Sequence, residues 1–94
     1  MADFNGGRLV WDQHMYLVYI IKSYSKGNIY IGHSNNLQKR LHYHNSGYGK
    51  ATKQCCDWEL IHKEEYPNRS LAMKREKYLK SGDGRKILKL KGIV

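Results

Sequence analysis

The chain has 94 residues, with 17 lysines and arginines against 8 aspartates and glutamates and a formal net charge of +9. This length predicts one domain with a small core, and an apolar content of 40% argues against a disordered chain. The excess positive charge favours a polyanionic partner, with nucleic acid as the first expectation and a solubilising surface as the alternative.

The apolar runs and the two cysteines bear on membrane association and on the redox compartment. No apolar run approaches the roughly 18 residues that span a bilayer, so we expect no membrane association. Cys55 and Cys56 are adjacent, and neighbours in sequence rarely meet disulfide geometry. They predict reduced thiols in a cytoplasmic protein.

The first half of the chain predicts a flexible lead-in followed by a β-hairpin. Residues 1–14 contain a glycine pair and no sustained period, whereas residues 15–94 form the predicted domain. Residues 15–22 are almost all apolar, which is typical of a central strand covered on both faces. Residues 23–27 form a turn, and residues 28–33 a second strand.

The second half predicts a helix, a strand and two further helices. The first helix starts at a capping box of Asn35 and Gln38 and runs to Asn45. Residues 58–65 form the third strand, with Trp58, Leu60 and His62 on one face. Helices over residues 70–81 and 85–91 follow, separated by a break at residues 82–84.

The predicted order is therefore ββαβαα, an α+β fold within the broad α/β class. If the second and third strands run in the same direction, the helix between them is a crossover, and the first strand lies between them. This predicts a three-stranded, mostly antiparallel sheet with helices packed on it.

Two tyrosines in the predicted hairpin are candidate site residues. If Lys22 and Gly27 flank a four-residue loop, Tyr19 and Tyr30 lie opposite each other and share a face. Two adjacent phenols can bind a phosphate or activate a water. The alternative is that both are ordinary strand aromatics.

The first helix places a cation and a histidine beside its apolar stripe. Leu37 and Leu41 define the stripe, and Arg40 and His44 fall on its edge, four residues apart. A guanidinium suits phosphate binding, and a histidine can move a proton near neutral pH. The alternative is an arginine that extends to solvent and a satisfied core histidine.

The second long helix carries Glu76 at the edge of a stripe of Leu71, Ala72, Tyr78 and Leu79. A carboxylate at such an edge can hold a divalent ion, since magnesium takes one or two protein carboxylates together with phosphate and water. The alternative is a surface ion pair.

The tripeptides Leu17-Val18-Tyr19 and Tyr30-Ile31-Gly32, followed by an arginine, a histidine and a glutamate in this order, resemble the GIY-YIG nuclease family over residues 15–85. The resemblance implies a phosphodiester hydrolase acting on DNA, with RNA also open, and one Mg²⁺ or Mn²⁺ ion. It implies catalytic roles for Tyr19, Tyr30, His33, Arg40, His44 and Glu76, with Glu76 as the metal ligand, Tyr19 activating the water and either histidine assisting it.

The chain departs from the family pattern in places. The first tripeptide lacks the leading glycine, and no asparagine follows the glutamate helix. The chain shows no DNA-targeting domain of the kind that larger members attach, so we expect target choice to come from this domain alone, to come from a protein partner, or to be weak. We expect a monomer or weak dimer. The resemblance implies a role in DNA repair or recombination.

Further residues are candidates for nucleic-acid contact, the alternative being a solvated rim. Glycine at the end of a strand permits close approach, and cations and tyrosines suit phosphates and bases. These candidates are Gly32, Lys39, Tyr43, Lys50, Lys53 and Lys74.

Two alternatives to the nuclease stay open. One is a non-catalytic nucleic-acid-binding module on the same fold. The other is a zinc-stabilised module using Cys55 and Cys56 with nearby histidines, although their spacing is unlike a C-x-x-C pair.

Overall fold

The computed structural model describes residues 15–94, so the predicted lead-in of residues 1–14 lies outside them. The described elements are β1 (Tyr16–Ser23), β2 (Ile29–Ser34), α1 (Leu37–Asn45), β3 (Trp58–Tyr66), α2 (Arg69–Lys80) and α3 (Gly82–Leu90). The strands form one sheet in the order β2-β1-β3, and both pairings are antiparallel. The predicted ββαβαα order, the central position of the first strand and the α+β class are confirmed.

Strand β1 is apolar throughout because both of its faces are covered. Val18 and Ile20 point to one face, where they pack with Ala72 and Leu79 of α2 and with α3. We call this the α2 face. Tyr19 and Ile21 point to the opposite face, and they pack with residues of α1 and of the loop that follows it. We call this the α1 face. All four β1 residues are at most 1% exposed, as expected for a central strand.

The hairpin register differs from the prediction by two residues. Tyr19 pairs with Gly32, and Tyr30 pairs with Ile21, so the two tyrosines are not directly opposite. The four-residue loop is displaced by one residue, because the Ser23 N–H donates to the Asn28 carbonyl at 2.9 Å and residues 24–27, not 23–26, lie between the paired ends. A shift of two residues preserves the face, so both phenols still lie on the α1 face.

A β-bulge in β3 corrects the predicted face of His62. Leu60 pairs with Ile21, but His62 pairs with Ile20, so the pairing shifts by one residue between them. Such a bulge changes which side later residues face. Trp58 and Leu60 therefore lie opposite α1-face residues, whereas His62 and Glu64 lie opposite α2-face residues, and the prediction of one shared face was wrong.

Helix α1 is fixed at both ends by asparagine side chains. Its N-cap is Asn36, not the predicted Asn35, and its side chain accepts from the Lys39 N–H at 3.1 Å. At the other end the Asn45 amide bonds both the N–H and the carbonyl of Trp58, at 2.7 and 3.1 Å. These contacts join the end of α1 to the start of β3. They hold the inner face of α1 against the sheet.

Helices α2 and α3 share one capping residue, so the predicted break is only a change of direction. Ser81 ends α2 and caps α3, whose first turn contains Gly82 and Gly84 instead of starting at residue 85. A Cβ on Gly84 would lie 2.6 Å from the Leu79 Cα, so glycine permits this close helix contact. Leu71 does not belong to the buried stripe as predicted, since it is 42% exposed.

Candidate active site

Tyr19, Tyr30 and His44 form an aromatic cluster on the α1 face. A hydrogen bond of 2.8 Å joins the Tyr19 hydroxyl to His44 Nε2, and both residues are buried. The Tyr30 ring lies 4.8 Å from the His44 ring and 6.3 Å from the Tyr19 ring. The structure therefore brings together two predicted strand residues and one predicted helix residue.

Gly32 makes room for this cluster. A Cβ at this position would lie 2.7 Å from the Tyr19 hydroxyl oxygen and 2.9 Å from the Tyr30 ring. The close approach predicted for this glycine is thus made by the two tyrosines that precede it in the chain. A larger residue would push the phenols apart.

The electrostatic environment keeps both hydrogen-bonded groups in their neutral forms. Burial, the neighbouring Tyr30 phenol and the Glu76 charge raise the pKa of Tyr19 to about 12, and Arg40 offsets part of this rise. Burial, followed by the charge of Arg40, lowers the pKa of His44 from 6.5. At neutral pH Tyr19 is therefore a phenol and His44 an uncharged imidazole.

Arg40 lies at the open side of the cluster. Arg40 is exposed, and its guanidinium carbon lies 4.8 Å from the centre of the Tyr43 ring. Its charge acts on the pKa values of both Tyr19 and His44. A guanidinium that is held by an aromatic ring and open to solvent is well suited to bind a phosphate.

Glu76 lies at the α2 side of the site, where two donors hold its carboxylate. His33 Nδ1 is 2.6 Å from Oε1, and Lys80 Nζ donates to Oε2 at 2.6 Å. Burial acts to raise the pKa of Glu76, but the hydrogen bonds from Lys80 and His33 outweigh it and lower this pKa from 4.5. The carboxylate is therefore ionised at neutral pH.

The two predicted histidines, His33 and His44, have different hydrogen-bond partners. His44 contacts Tyr19, whereas His33 contacts Glu76. His33 lies opposite Val18 and so belongs to the α2 face, away from the phenols. Of the two histidines, His44 is the one that contacts Tyr19.

Lys80 connects the two halves of the site, and the sequence reasoning missed it. Its ammonium group binds Glu76 and lies 5.9 Å from the centre of the Tyr30 ring. The lysine therefore reaches from α2 around strand β2 toward the phenols. Its spacing of four residues from Glu76 was the available signal, because such pairs meet on a helix surface.

The carboxylate of Glu76 fits a hard divalent cation. It is ionised, its side chain is 18% exposed, and each oxygen accepts one hydrogen bond, which leaves a lone pair on each. Lys80 is 49% exposed and can turn into solvent. Residues 15–94 contain no group of three or more His, Cys, Asp or Glu side chains that could hold a metal. One carboxylate with phosphate and water is the arrangement that magnesium accepts.

Thr52, in the loop after α1, also belongs to the cluster and was not predicted. Its hydroxyl is fully buried and lies 2.9 Å from His44 Nδ1, so both ring nitrogens of His44 have a partner. The contact joins residues eight positions apart through an irregular loop. No local sequence pattern signals it.

The predicted nucleic-acid contacts divide into two groups. Tyr43 lies beside Arg40 and stacks on Tyr48, which is 75% exposed, with 6.1 Å between the ring centres. Lys39 on α1 and Lys50 and Lys53 in the following loop are exposed. Lys74 is exposed on α2, but two positions along a helix place it on the opposite side from Glu76.

A second partly buried carboxylate, that of Glu64, explains Arg75, which had no role in the sequence analysis. Arg75 donates to Glu64 through Nε at 2.8 Å and Nη2 at 3.3 Å. The Tyr66 hydroxyl donates to Glu64 at 2.6 Å, and His62 Nε2 lies 2.9 Å from it. We call these four residues the Glu64 cluster.

The thiols do not form part of a metal site. Cys55 is buried and accepts from the Asn28 amide at 3.7 Å, and Cys56 is exposed; both are free. Their two side chains have no third donor of the His, Cys, Asp or Glu type beside them within residues 15–94. The zinc-stabilised alternative was therefore wrong for this part of the chain.

Comparison with known proteins identifies the family of this chain. The family model described as the GIY-YIG catalytic domain matches residues 15–88. The chain belongs to the GIY-YIG family. This family comprises nucleases, so the match supports an endonuclease in general terms. None of the helices within residues 15–94 is both long enough and apolar enough to cross a bilayer.

The curated relatives carry no description of activity. The UPF0213 protein SSP2268 of Staphylococcus saprophyticus is 36% identical over 80 residues, covering 84% of this chain and 94% of the relative. The UPF0213 protein SAV0488 of Staphylococcus aureus is 38% identical with the same coverage. The solution structure of UPF0213 protein BH0048 from Bacillus halodurans matches with 27% identity and a TM-score of 0.48, covering 79% of this chain and 81% of that one.

Proposed function

We propose that this protein is a divalent-metal-dependent endonuclease that hydrolyses phosphodiester bonds in DNA through a water activated by Tyr19. The observation that carries the proposal is the buried hydrogen bond of 2.8 Å between Tyr19 and His44. It gives the phenol a neutral base as its partner, beside a guanidinium and close to an ionised carboxylate. A binding surface alone does not require this arrangement.

Tyr19 and His44 share the work of removing a proton from water. Because burial raises the pKa of Tyr19 to about 12, Tyr19 carries its own proton at neutral pH. It can accept a proton from water only if its phenol proton leaves in the same step. His44 Nε2 is in hydrogen-bond contact and its ring is uncharged, so it is the acceptor.

Arg40 and Tyr30 bind the reacting phosphate in this proposal. Arg40 is exposed to solvent and close enough for its charge to act on Tyr19, so it reaches a phosphate that approaches the phenols. A fixed cation at this point stabilises the negative charge that builds up on phosphorus-bound oxygens. Tyr30 presents its phenol on the same face.

Glu76 would hold the metal ion, Mg²⁺ or Mn²⁺. Divalent-metal dependence is general among GIY-YIG nucleases, and the ion supplies charge neutralisation at the leaving oxygen. His33 holds the Glu76 carboxylate at Oε1, which orients it. The ammonium charge of Lys80 opposes a cation at Oε2, so the lysine would turn into solvent when the ion binds.

The net charge and the free thiols support a proposal for where the protein acts. A net charge of +9 favours binding to the DNA backbone and makes the affinity depend on salt. The free thiols of Cys55 and Cys56 suit a reducing compartment, so we propose action in the cytoplasm, in repair or recombination of DNA.

A plasmid-nicking assay tests the proposal. The purified protein is incubated with supercoiled plasmid and Mg²⁺ or Mn²⁺, with and without chelator. We expect nicking that needs the metal. Tyr19→Phe removes only the hydroxyl and should lower the rate about 100-fold or more. Tyr24→Phe is the matched control, because Tyr24 is 58% exposed in the hairpin loop, and it should cleave at the parent rate.

The same experiment separates the nuclease from a binding module. If the parent protein binds DNA in a salt-dependent manner but nicks none of the duplex, single-stranded, branched or RNA substrates with either metal, the endonuclease proposal is wrong and the binding module is favoured. Equal rates for the parent and Tyr19→Phe would instead reject the role of the phenol.

A further inference from the structure

Thr52 closes a chain of three hydrogen-bonded side chains. Its Oγ1 lies 2.9 Å from His44 Nδ1, and His44 Nε2 lies 2.8 Å from the Tyr19 hydroxyl. Thr52 and Tyr19 are at most 1% exposed, and His44 is 2% exposed. The chain therefore runs from the interior of the loop to the reacting phenol without contact with solvent along its sides.

The position of Thr52 is fixed from several directions. The Trp58 indole Nε1 donates to the Thr52 carbonyl at 3.1 Å, and the Thr52 N–H donates to the Gly49 carbonyl at 3.2 Å. A Cβ on Gly49 would lie 2.5 Å from Thr52 Oγ1, so glycine is needed for the hydroxyl to sit here. These contacts aim the hydroxyl at His44.

The proton on His44 determines what Tyr19 can do. A neutral imidazole carries one N–H, and the other nitrogen is an acceptor. His44 Nε2 can take the phenol proton of Tyr19 only when the ring proton is on Nδ1. The nearby guanidinium of Arg40 has only donors, so it cannot take this proton. The atom facing Nδ1 is Thr52 Oγ1, whose lone pairs can accept from an N–H.

We propose that Thr52 is a positioning residue that holds His44 as the Nδ1–H tautomer, with Nε2 free to accept the proton of Tyr19. The inference rests on the proposed function for its catalytic consequence but not for its geometry. A carboxylate or carbonyl beside other catalytic histidines only accepts, whereas a hydroxyl can also donate. Here the guanidinium of Arg40, which has only donors, hydrogen-bonds to Tyr19, so the phenol proton points to His44 Nε2 and Thr52 is left to accept from Nδ1–H.

Water gives a proton to the Tyr19 oxygen as the Tyr19 phenol proton moves to His44 Nε2. The resulting hydroxide forms a bond to phosphorus, and the bond to the leaving oxygen breaks with its electron pair. The leaving oxygen takes a proton from solvent. His44, now an imidazolium with protons on both nitrogens, keeps its hydrogen bond to Thr52 and later returns one proton to solvent.

Nitrogen NMR of the histidine rings tests the tautomer without any substrate. In ¹⁵N-labelled protein at neutral pH, the His44 ring, assigned by its loss in His44→Gln, should show a protonated Nδ1 and an unprotonated Nε2. Thr52→Val keeps the shape but removes the hydroxyl, and it should give mixed tautomers. Thr52→Ser keeps the hydroxyl and should restore the parent spectrum. A parent protein with its proton on Nε2, or a Thr52→Val spectrum identical to the parent, overturns the proposal.

Cleavage rates test the consequence. Thr52→Val should lower single-turnover cleavage at least about 10-fold, and Thr52→Ser should stay within about threefold of the parent. A parent that cleaves and a Thr52→Val variant that cleaves equally fast would reject the role of Thr52 alone. A parent that never cleaves would reject the nuclease, while the NMR result would still decide the tautomer.

Discussion

Glu64 and Glu76 lie on opposite flanks of the same central residue, Val18. Glu64 on β3 pairs directly with Val18, and His33, the partner of Glu76, pairs with Val18 from β2. Consecutive residues of α2, Arg75 and Glu76, make the contacts on the two flanks. Each glutamate has a histidine and a cation as partners, yet the two carboxylates differ in how fully they are paired.

The difference lies in the donors. Glu64 takes two bonds from Arg75, one from Tyr66 and a contact from His62, whereas Glu76 has one partner on each oxygen. Burial raises the pKa of Glu64, but these hydrogen bonds outweigh it and lower the pKa to about 2. A saturated carboxylate stabilises the fold, while one with free lone pairs and a mobile lysine can accept a ligand. The number of hydrogen-bond donors, not the degree of burial, therefore distinguishes the two carboxylates.

The largest expected effect is the loss of cleavage in Glu76→Ala. Removal of the carboxylate removes the metal ligand, so the cleavage rate should fall by a factor on the order of 1,000, as measured by plasmid nicking with Mg²⁺. Binding to labelled DNA, followed by fluorescence anisotropy, should be unchanged or tighter, because a negative charge has been removed. Cleavage at the parent rate would show that Glu76 holds no essential metal.

Glu64→Gln should have the opposite pattern. It should lower the stability of the fold and leave the cleavage rate unchanged. It leaves Arg75 without its carboxylate partner, so we expect a loss of about 2 kcal/mol in the free energy of unfolding, or about 10 °C in Tm. Glu65→Gln is the matched control, since Glu65 is the exposed neighbour on β3. Should Glu64→Gln lose cleavage while folded, the proposed division between the two glutamates would be wrong.

The acid dependence of stability should reveal the Glu64 cluster. The folded pKa of Glu64, about 2, lies below its usual value of 4.5. Its stabilisation is therefore fully present above pH 4.5 and is lost as pH falls from 4.5 toward 2. The difference in Tm between the parent and Glu64→Gln should shrink over this range. A difference that stays constant down to pH 2 would contradict the lowered pKa.

The smallest expected effect is that of Lys80→Gln. This change removes the ammonium group from Glu76 Oε2, so Mn²⁺ should bind a few-fold more tightly in calorimetric titration. Stability should change by less than about 0.5 kcal/mol, because the pair is exposed and spaced i, i+4. Lys77→Gln, one turn away and also exposed, serves as the control. Weaker Mn²⁺ binding in Lys80→Gln would mean that the lysine supports the metal site and does not compete for it.

The sequence predicted the fold well because its signals are local. An apolar run, polar turns and helix caps determine the element order, and the handedness of crossovers then places β1 in the centre. The hairpin register was missed because the position of the four-residue loop depends on one backbone pair, Ser23 with Asn28. The face of His62 was missed because a bulge has no clear signature in alternating residues.

The candidate site was predicted only in its residue types. Tyr19, Arg40, His44 and Glu76 were selected as candidates on helical or strand periodicity and on the family resemblance, but their partners depend on contacts between distant segments. His33 and His44 were equivalent in the sequence, and only the structure pairs one with Glu76 and the other with Tyr19. Thr52 reaches His44 through an irregular loop, which no periodic pattern describes.

The bulge in β3 also determines which changes of chain length this fold tolerates. Ile61 is the extra residue between the pairs Ile21–Leu60 and Ile20–His62. Its deletion would restore a regular ladder and keep every later residue on its present face. Deletion of Lys63 would instead turn Glu64 and Tyr66 toward the α1 face, away from Arg75. A deletion at position 61 therefore keeps the register of the sheet and loses one side chain that packs on the α2-face core, whereas a deletion at position 63 turns Glu64 away from Arg75.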